Sequence, residues 1–133
     1  MPKLPVNVDG GARGNPGPAA IGVVVRNADG AVVESVGETI GVTTNNVAEY
    51  RALLRGIELA AAQGATEVEL IGDSELIVRQ IEGRYKVKNA AMKELHAQAK
   101  AALAEFDAWS IHHVKRAQNA DADALVNEAL DNA

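Results

Sequence analysis

The hydrophobic pattern of this chain first changes period near Thr44, and that change dictates the kind of fold available. Before it, Leu4, Val6 and Val8 alternate with Pro5, Asn7 and Asp9, the two-residue period of a strand over Leu4–Asp9. A turn-rich loop follows from Gly10 to Pro18, and Ala20–Arg26 reads as a buried strand. Asn27-Ala28-Asp29-Gly30 is a hairpin signal, and Val32–Ile40 forms the returning strand. Three strands on short loops make an antiparallel meander. After Thr44 the period becomes helical: Val47, Tyr50, Leu54, Ile57 and Ala61 line one stripe of a helix over Asn45–Gln63, stopped by Gly64. A strand at Val68–Ile71, helices at Glu75–Ile81 and Ala90–Phe106, a strand at Trp109–Val114 and a closing helix at Ala122–Leu130 complete the order βββαβααβα. Strands separated by helices run parallel, so the expectation is an α/β fold. Its five-stranded sheet is mixed, three antiparallel strands then two parallel, and flanked by helices.

The 133 residues contain no repeat, linker or low-complexity segment, so residues 1–133 are expected to form one domain. With 47% hydrophobic residues the chain can build a core. No apolar run approaches the ~18 residues of a membrane span. The opening Met1-Pro2-Lys3-Leu4-Pro5 does not read as a signal peptide, and the lack of cysteine excludes a disulfide framework and thiolate-held zinc. A cytoplasmic, monomeric protein with no membrane association is the expectation. The net charge of −5 weighs against a nucleic-acid partner. However, Arg79, Arg84, Lys86, Lys88, Lys93 and Lys100 face only Glu82 and Glu94 in the same stretch, a local excess of basic charge.

Four acids sit where such a fold gathers them. Asp9 closes the first strand, Glu49 lies near the start of the first long helix, Asp73 closes the fourth strand, and Asp123 lies early in the last helix. Ligand sites in open α/β sheets form outside the carboxyl ends of parallel strands, so Asp9 and Asp73 meet if strands one and four are neighbours. Carboxylates without cysteine or a histidine set favour hard cations such as Mg²⁺ or Mn²⁺. Two such ions can activate water and stabilise the leaving oxygen of a phosphodiester. Each acid also has a plainer reading, as a cap, a turn residue or a helix-dipole partner. Asp121 and Asp123 lie two residues apart, about 200° around a helix axis, and phase does not choose between them. Gly10–Gly17 lacks the Gly-Lys-Ser/Thr of a nucleotide-binding loop and joins strand to strand. His112 and His113 fall on a strand and read as structural, and Asn45 or Asn46 suits a helix cap.

Four segments resemble type 1 ribonucleases H. Asp9-Gly10-Gly11-Ala12-Arg13-Gly14-Asn15-Pro16-Gly17 is similar to the opening motif, and Thr44-Asn45-Asn46-Val47-Ala48-Glu49 to the T-N-N-x-x-E helix start. Asp73-Ser74 is similar to the D-S motif, and Asn119-Ala120-Asp121-Ala122-Asp123-Ala124-Leu125 to the closing N-x-x-x-D-x-L. Singly these are weak; in order they span most of the chain. The resemblance implies a ribonuclease H-like fold. It also implies an endonuclease that hydrolyses the RNA strand of RNA–DNA hybrids by a two-metal mechanism, leaving 5′-phosphate and 3′-hydroxyl ends. Asp9, Glu49, Asp73 and Asp123 would hold two Mg²⁺ or Mn²⁺ ions, the register of Asn119 selecting Asp123 over Asp121. Asn15, Asn45 and Asn46 would follow the minor groove of the hybrid, and Thr44 would help hold a DNA phosphate. The backbone of Gly11, Ala12 and Arg13, with the Glu49 carboxylate, would approach RNA 2′-hydroxyls, while Ser74 and Asn119 belong to the substrate-binding set.

Two departures stand out. Gly83-Arg84-Tyr85-Lys86-Val87-Lys88-Asn89 occupies the place of a long, Lys- and Trp-rich protrusion, leaving Lys86 and Lys88 as candidate substrate contacts. Arg116 stands near the place of a flexible-loop histidine; its guanidinium can match that charge but is too basic to exchange protons. This short form resembles a branch found in archaea and some bacteria. Rival readings are a non-cutting binding module, against which all four acids speak, and a related nuclease or strand transferase. Double-stranded RNA is a further substrate class.

Overall fold

The computed structural model describes residues 3–133; Met1 and Pro2, which the sequence reading includes in the 1–133 domain and in the stretch weighed as a signal peptide, lie outside the described residues. The elements are β1 (Lys3–Ala12), β2 (Gly17–Arg26), β3 (Val32–Thr43), α1 (Asn45–Ala62), β4 (Glu67–Gly72), α2 (Glu75–Ile81), α3 (Ala90–Leu103), β5 (Ala108–His113), a 3₁₀ turn (Arg116–Asn119) and α4 (Ala120–Asp131). The sheet order is β3-β2-β1-β4-β5, with β1–β2 and β2–β3 antiparallel and β1–β4 and β4–β5 parallel. The element order and mixed sheet match the expectation. No helix among the described residues is long and apolar enough to cross a membrane.

Several boundaries differ from the sequence reading by a few residues, and two of the shifts have a clear cause in pairing and hydrogen bonding. β1 does not stop at Asp9 but runs on through Ala12, pairing Gly10, Gly11 and Ala12 with Ile21, Ala20 and Ala19. Only Arg13–Pro16 is left as the loop. α3 ends at Leu103, not Phe106, because the Phe106 amide turns back to the Leu103 carbonyl (3.1 Å) and the Asp107 amide donates to Thr66 O (2.9 Å). The 3₁₀ turn before α4 carried no periodic signal. The hairpin tip is as read: Asn27 Oδ1 accepts from the Asp29 and Ala31 amides, and Gly30 takes positive φ (+85°).

Helices cover both faces of the sheet. Side chains of β1 and β2 alternate, so Val6, Val8, Val23 and Val25 face one way and join Leu53, Ile57, Leu70, Ile81 and Leu103 in the main core beneath α1, α2 and α3. The opposite face receives α4, whose buried Ala122 and Val126 lie against it. Two glycines set how closely the helices approach. A Cβ on Gly10 would lie 2.2 Å from Ala48 O, so the start of α1 rests backbone to backbone on β1. A Cβ on Gly22 would lie 2.2 Å from Ala122 O, so the start of α4 rests on β2 in the same manner.

Candidate active site

The carboxylates are gathered by strand register and helix docking. β1 and β4 pair from Lys3↔Glu67 to Asn7↔Ile71, and the same offset carried onward sets Asp9 beside Asp73, which follows β4 directly. The contact at Gly10 brings Glu49, in the first turns of α1, over the same strand; the contact at Gly22 brings Asp123, beside Ala122, from the opposite face. Carboxylate oxygens of Asp9, Glu49 and Asp73 lie within 4.8 Å of one another. With Asp123 they line a cleft of about 510 Å³, whose other walls include Gly10 to Arg13, Asn45, Ser74, Arg116, Val126 and Asn127.

Such a cluster opposes its own ionisation. Burial, followed by the charges of Asp73 and Asp123, pushes the Asp9 carboxyl up to about 8. Burial, followed by the charges of Asp9 and Asp73, pushes Glu49 to about 9, with only the Gly10 amide acting the other way. Among these residues the one basic partner is Arg116. Its Nη2 donates to Asp123 Oδ1 at 3.1 Å from an exposed position, and that hydrogen bond raises the already high proton affinity of the guanidinium further. Buried carboxylates this close need positive charge between them, and an all-oxygen donor set suits hard divalent cations. Asp9, Glu49 and Asp73 therefore fit a divalent-cation site, and Asp123 lines the same cleft outside that tight group.

Around the cleft, the loop and helix start expected to meet substrate are tied together. Asn15 Oδ1 accepts from the Asn45 amide (3.0 Å), and Asn45 Oδ1 accepts from the Ala12 amide (3.2 Å). The cap of α1 is Thr44, whose Oγ1 accepts from the Val47 amide (3.3 Å), so neither Asn45 nor Asn46 caps the helix. Ser74 caps α2 in the same way. Asn15, Thr44 and Asn46 border the cleft without lining it, and the exposed Lys86 and Lys88 sit on the α2–α3 connection.

Asn119 departs from its assigned part. It is 1% exposed, donates from Nδ2 to Val8 O (2.9 Å) and accepts from Asn7 at Oδ1, so it holds the 3₁₀ turn to β1 and presents nothing to a substrate. The basic stretch is also narrower than its sequence count. Lys100 Nζ donates to Ile81 O (3.3 Å) and lies 4.7 Å from the Trp109 ring centre, while Arg79 pairs with Glu82 at 3.0 Å. His112 pairs with Glu69 across neighbouring strands (3.1 Å), the structural part expected of it. One cleft residue was missed. Asn127, one helical turn beyond Asp123, places Nδ2 3.4 Å from Asp123 Oδ2, and its i,i+4 spacing from that acid was the available signal.

The comparisons with known proteins agree with this geometry. A family described as reverse transcriptase-like matches residues 7–129. The chain is 49% identical over 125 residues to a ribonuclease HI of Halobacterium salinarum, covering 94% of this chain and 63% of that protein. A bifunctional protein of Mycobacterium tuberculosis is 46% identical over 130 residues, covering 97% of this chain and 36% of that one. The chain thus spans less than two thirds of the length of either relative. The crystal structure of RNase H1 from Halobacterium salinarum superposes with TM-score 0.96 at 46% identity, covering 98% of this chain and 99% of the other. An RNase H1 isolated from compost and solved in complex with an RNA/DNA hybrid superposes with TM-score 0.92 at 46% identity, covering 97% of each chain. The four motifs in order, the mixed sheet with its acid cluster, and these matches over nearly the whole chain place the protein in the ribonuclease H family, in the type 1 branch and in the short form without the long basic protrusion.

Proposed function

We propose that this chain, acting as a single ribonuclease H domain, hydrolyses the RNA strand of RNA–DNA hybrids. The observation that carries the reading is the convergence of the Asp9, Glu49 and Asp73 carboxylates in one open cleft. Its support is a relative of the same fold, 46% identical, solved with such a hybrid.

In this reading Asp9, Glu49, Asp73 and Asp123 hold two divalent cations, Mg²⁺ or Mn²⁺. When bound, these supply the charge that lets water attack the phosphorus in line while the 3′ oxygen leaves. The residues of the chain do the rest. The carboxylates would fix where the cations sit, and the raised proton affinity of Asp9 and Glu49 means that cation binding would displace protons from them. The Asn15–Asn45–Ala12 ties hold the β1–β2 loop against α1, so that the backbone of Gly11, Ala12 and Arg13 forms a rigid wall for the RNA 2′-hydroxyls. Asn45 and Asn46 face the minor groove, Thr44 and Ser74 contact phosphates, and Lys86 and Lys88 add long-range attraction. Arg116, beside Asp123, gives a fixed positive charge where a histidine would exchange protons. Products end in 5′-phosphate and 3′-hydroxyl.

The test offers labelled RNA–DNA hybrid, double-stranded RNA, double-stranded DNA and single strands to the protein with Mg²⁺, Mn²⁺ or excess chelator. Metal-dependent cutting of the hybrid's RNA strand is expected. Undiminished cleavage in chelator, or products ending in 2′,3′-cyclic phosphate, overturns the mechanism. Cutting of double-stranded RNA alone would overturn the assignment of substrate.

A further inference from the structure

Asp123 is the one carboxylate of the cleft delivered by α4, so its distance from Asp9 depends on how the start of α4 sits on the sheet. A continuous polar chain runs beneath that start. Arg26, at the end of β2, forks: Nη2 pairs with Asp121 and Nη1 donates to Asn7 Oδ1 at 3.0 Å. Asn7 Nδ2 donates to Asn119 Oδ1 at 3.0 Å, and Asn119 Nδ2 donates to Val8 O at 2.9 Å. That carbonyl belongs to the peptide bond that leads into Asp9.

We propose that Asp121, Arg26, Asn7 and Asn119 form a positioning chain that sets Asp123 against Asp9 and thereby tunes the cation affinity of the cleft. This rests on the reading of the acids as cation ligands. Three observations carry it. Asn7 is half-buried in the middle of β1, where an amide requires partners, and it has one on each side: Oδ1 accepts from Arg26 and Nδ2 donates to Asn119. Asn119 is fully buried, and both ends of its amide are engaged. Asp121 and Asp123 point about 200° apart around α4, so pairing Asp121 with Arg26 fixes the rotation of the helix that turns Asp123 into the cleft. The chain thus connects both elements that carry the two acids, and it touches neither substrate nor cation. Partners behind metal ligands of this kind set ligand orientation.

The test uses the intact protein. Asn119→Ala, Arg26→Ala and Arg26→Lys are compared with the parent and with Asp9→Asn. Three quantities are measured: Mn²⁺ binding by calorimetry without substrate, hybrid cleavage across a Mg²⁺ series, and melting in chelator. Asn119→Ala and Arg26→Ala are expected to weaken Mn²⁺ binding about tenfold. The Mg²⁺ needed for half-maximal cleavage should rise equally, with the hybrid KM at saturating Mg²⁺ unchanged. Arg26→Lys, which keeps one donor, should fall between. Should Asn119→Ala not fold, Arg26→Ala, at the outer end of the chain, decides alone. If Arg26→Ala binds Mn²⁺ like the parent, whatever its melting temperature, the chain is only structural and the proposal falls. If Asp9→Asn itself leaves Mn²⁺ binding and cleavage intact, the cation-site reading fails first and the proposal with it.

Discussion

Replacing Asp9 with Asn should abolish activity and yet stabilise the metal-free protein. The unfolded carboxyl titrates at 3.8, whereas burial and the charges of Asp73 and Asp123 hold the folded one at about 8. An acid whose pKa rises on folding costs nothing at low pH, and its penalty grows as pH climbs between the two values. At pH 7 the span is about 3 units, an upper bound of about 4 kcal/mol at about 1.4 kcal/mol per unit. Asn keeps the shape and sheds the charge but leaves a buried amide imperfectly paired, which returns about 1–3 kcal/mol. A net gain of at most about 1–3 kcal/mol remains, or several degrees in Tm at about 3–6 °C per kcal/mol for a domain of this size. The assay is thermal melting of parent and variant in excess chelator from pH 5 to pH 8. The Tm difference should widen with pH in favour of Asn, and added Mg²⁺ should stabilise the parent far more than the variant. A difference that is flat or shrinks as pH rises, or a variant that melts lower throughout, refutes the account of a self-repelling, cation-requiring cluster. Hybrid cleavage by the variant should fall by about 10³-fold or more, an activation cost of about 4 kcal/mol.

The remaining predictions test the docking, the register and the substrate grip. Gly22→Ala places a methyl 2.2 Å from Ala122 O and must push α4 outward, costing about 2 kcal/mol or more; unchanged chemical denaturation would show that α4 docks more loosely than the structure has it. Asp123→Asn should cut turnover substantially while Asp121→Asn, whose amide oxygen still accepts from Arg26, stays within a few-fold; the reverse order in a side-by-side assay would void the assignment of the closing motif. Changing Lys86 and Lys88 to Ala together should flatten the dependence of log KM on log salt by roughly 1.5, at about 0.7–0.9 for each phosphate that a lysine no longer neutralises; an unchanged slope assigns both lysines to a solvated face.

What the sequence determined by itself was whatever depends on local period and on short motifs. The switch from two-residue to helical spacing near Thr44 yields the element order, and Asn27–Gly30 marks its hairpin, because turn geometry and burial of one face are properties of neighbouring residues. The four acids were legible as candidates, since carboxylates at strand ends and helix starts face the same rim of an α/β sheet. Their convergence was legible only as a condition, that strands one and four are neighbours, or as an implication of the family resemblance. It depends on β1 pairing with β4 at one offset, and on backbone contacts at Gly10 and Gly22 that join residues 38 or more positions apart. The continuation of β1 through Gly10-Gly11-Ala12 was hidden for the same reason: nothing local distinguishes a glycine in a loop from one that lets a helix approach a strand. Asn119 and Lys100 show the limit for polar residues. Asn119 was implied as a substrate contact and Lys100 was counted in a local excess of basic charge, and both are taken up by carbonyls, Val8 O and Ile81 O, that come near only in the folded chain. A polar side chain displays its chemistry in sequence, but the partner that satisfies it is supplied by tertiary packing, and that partner decides whether the group remains free for function.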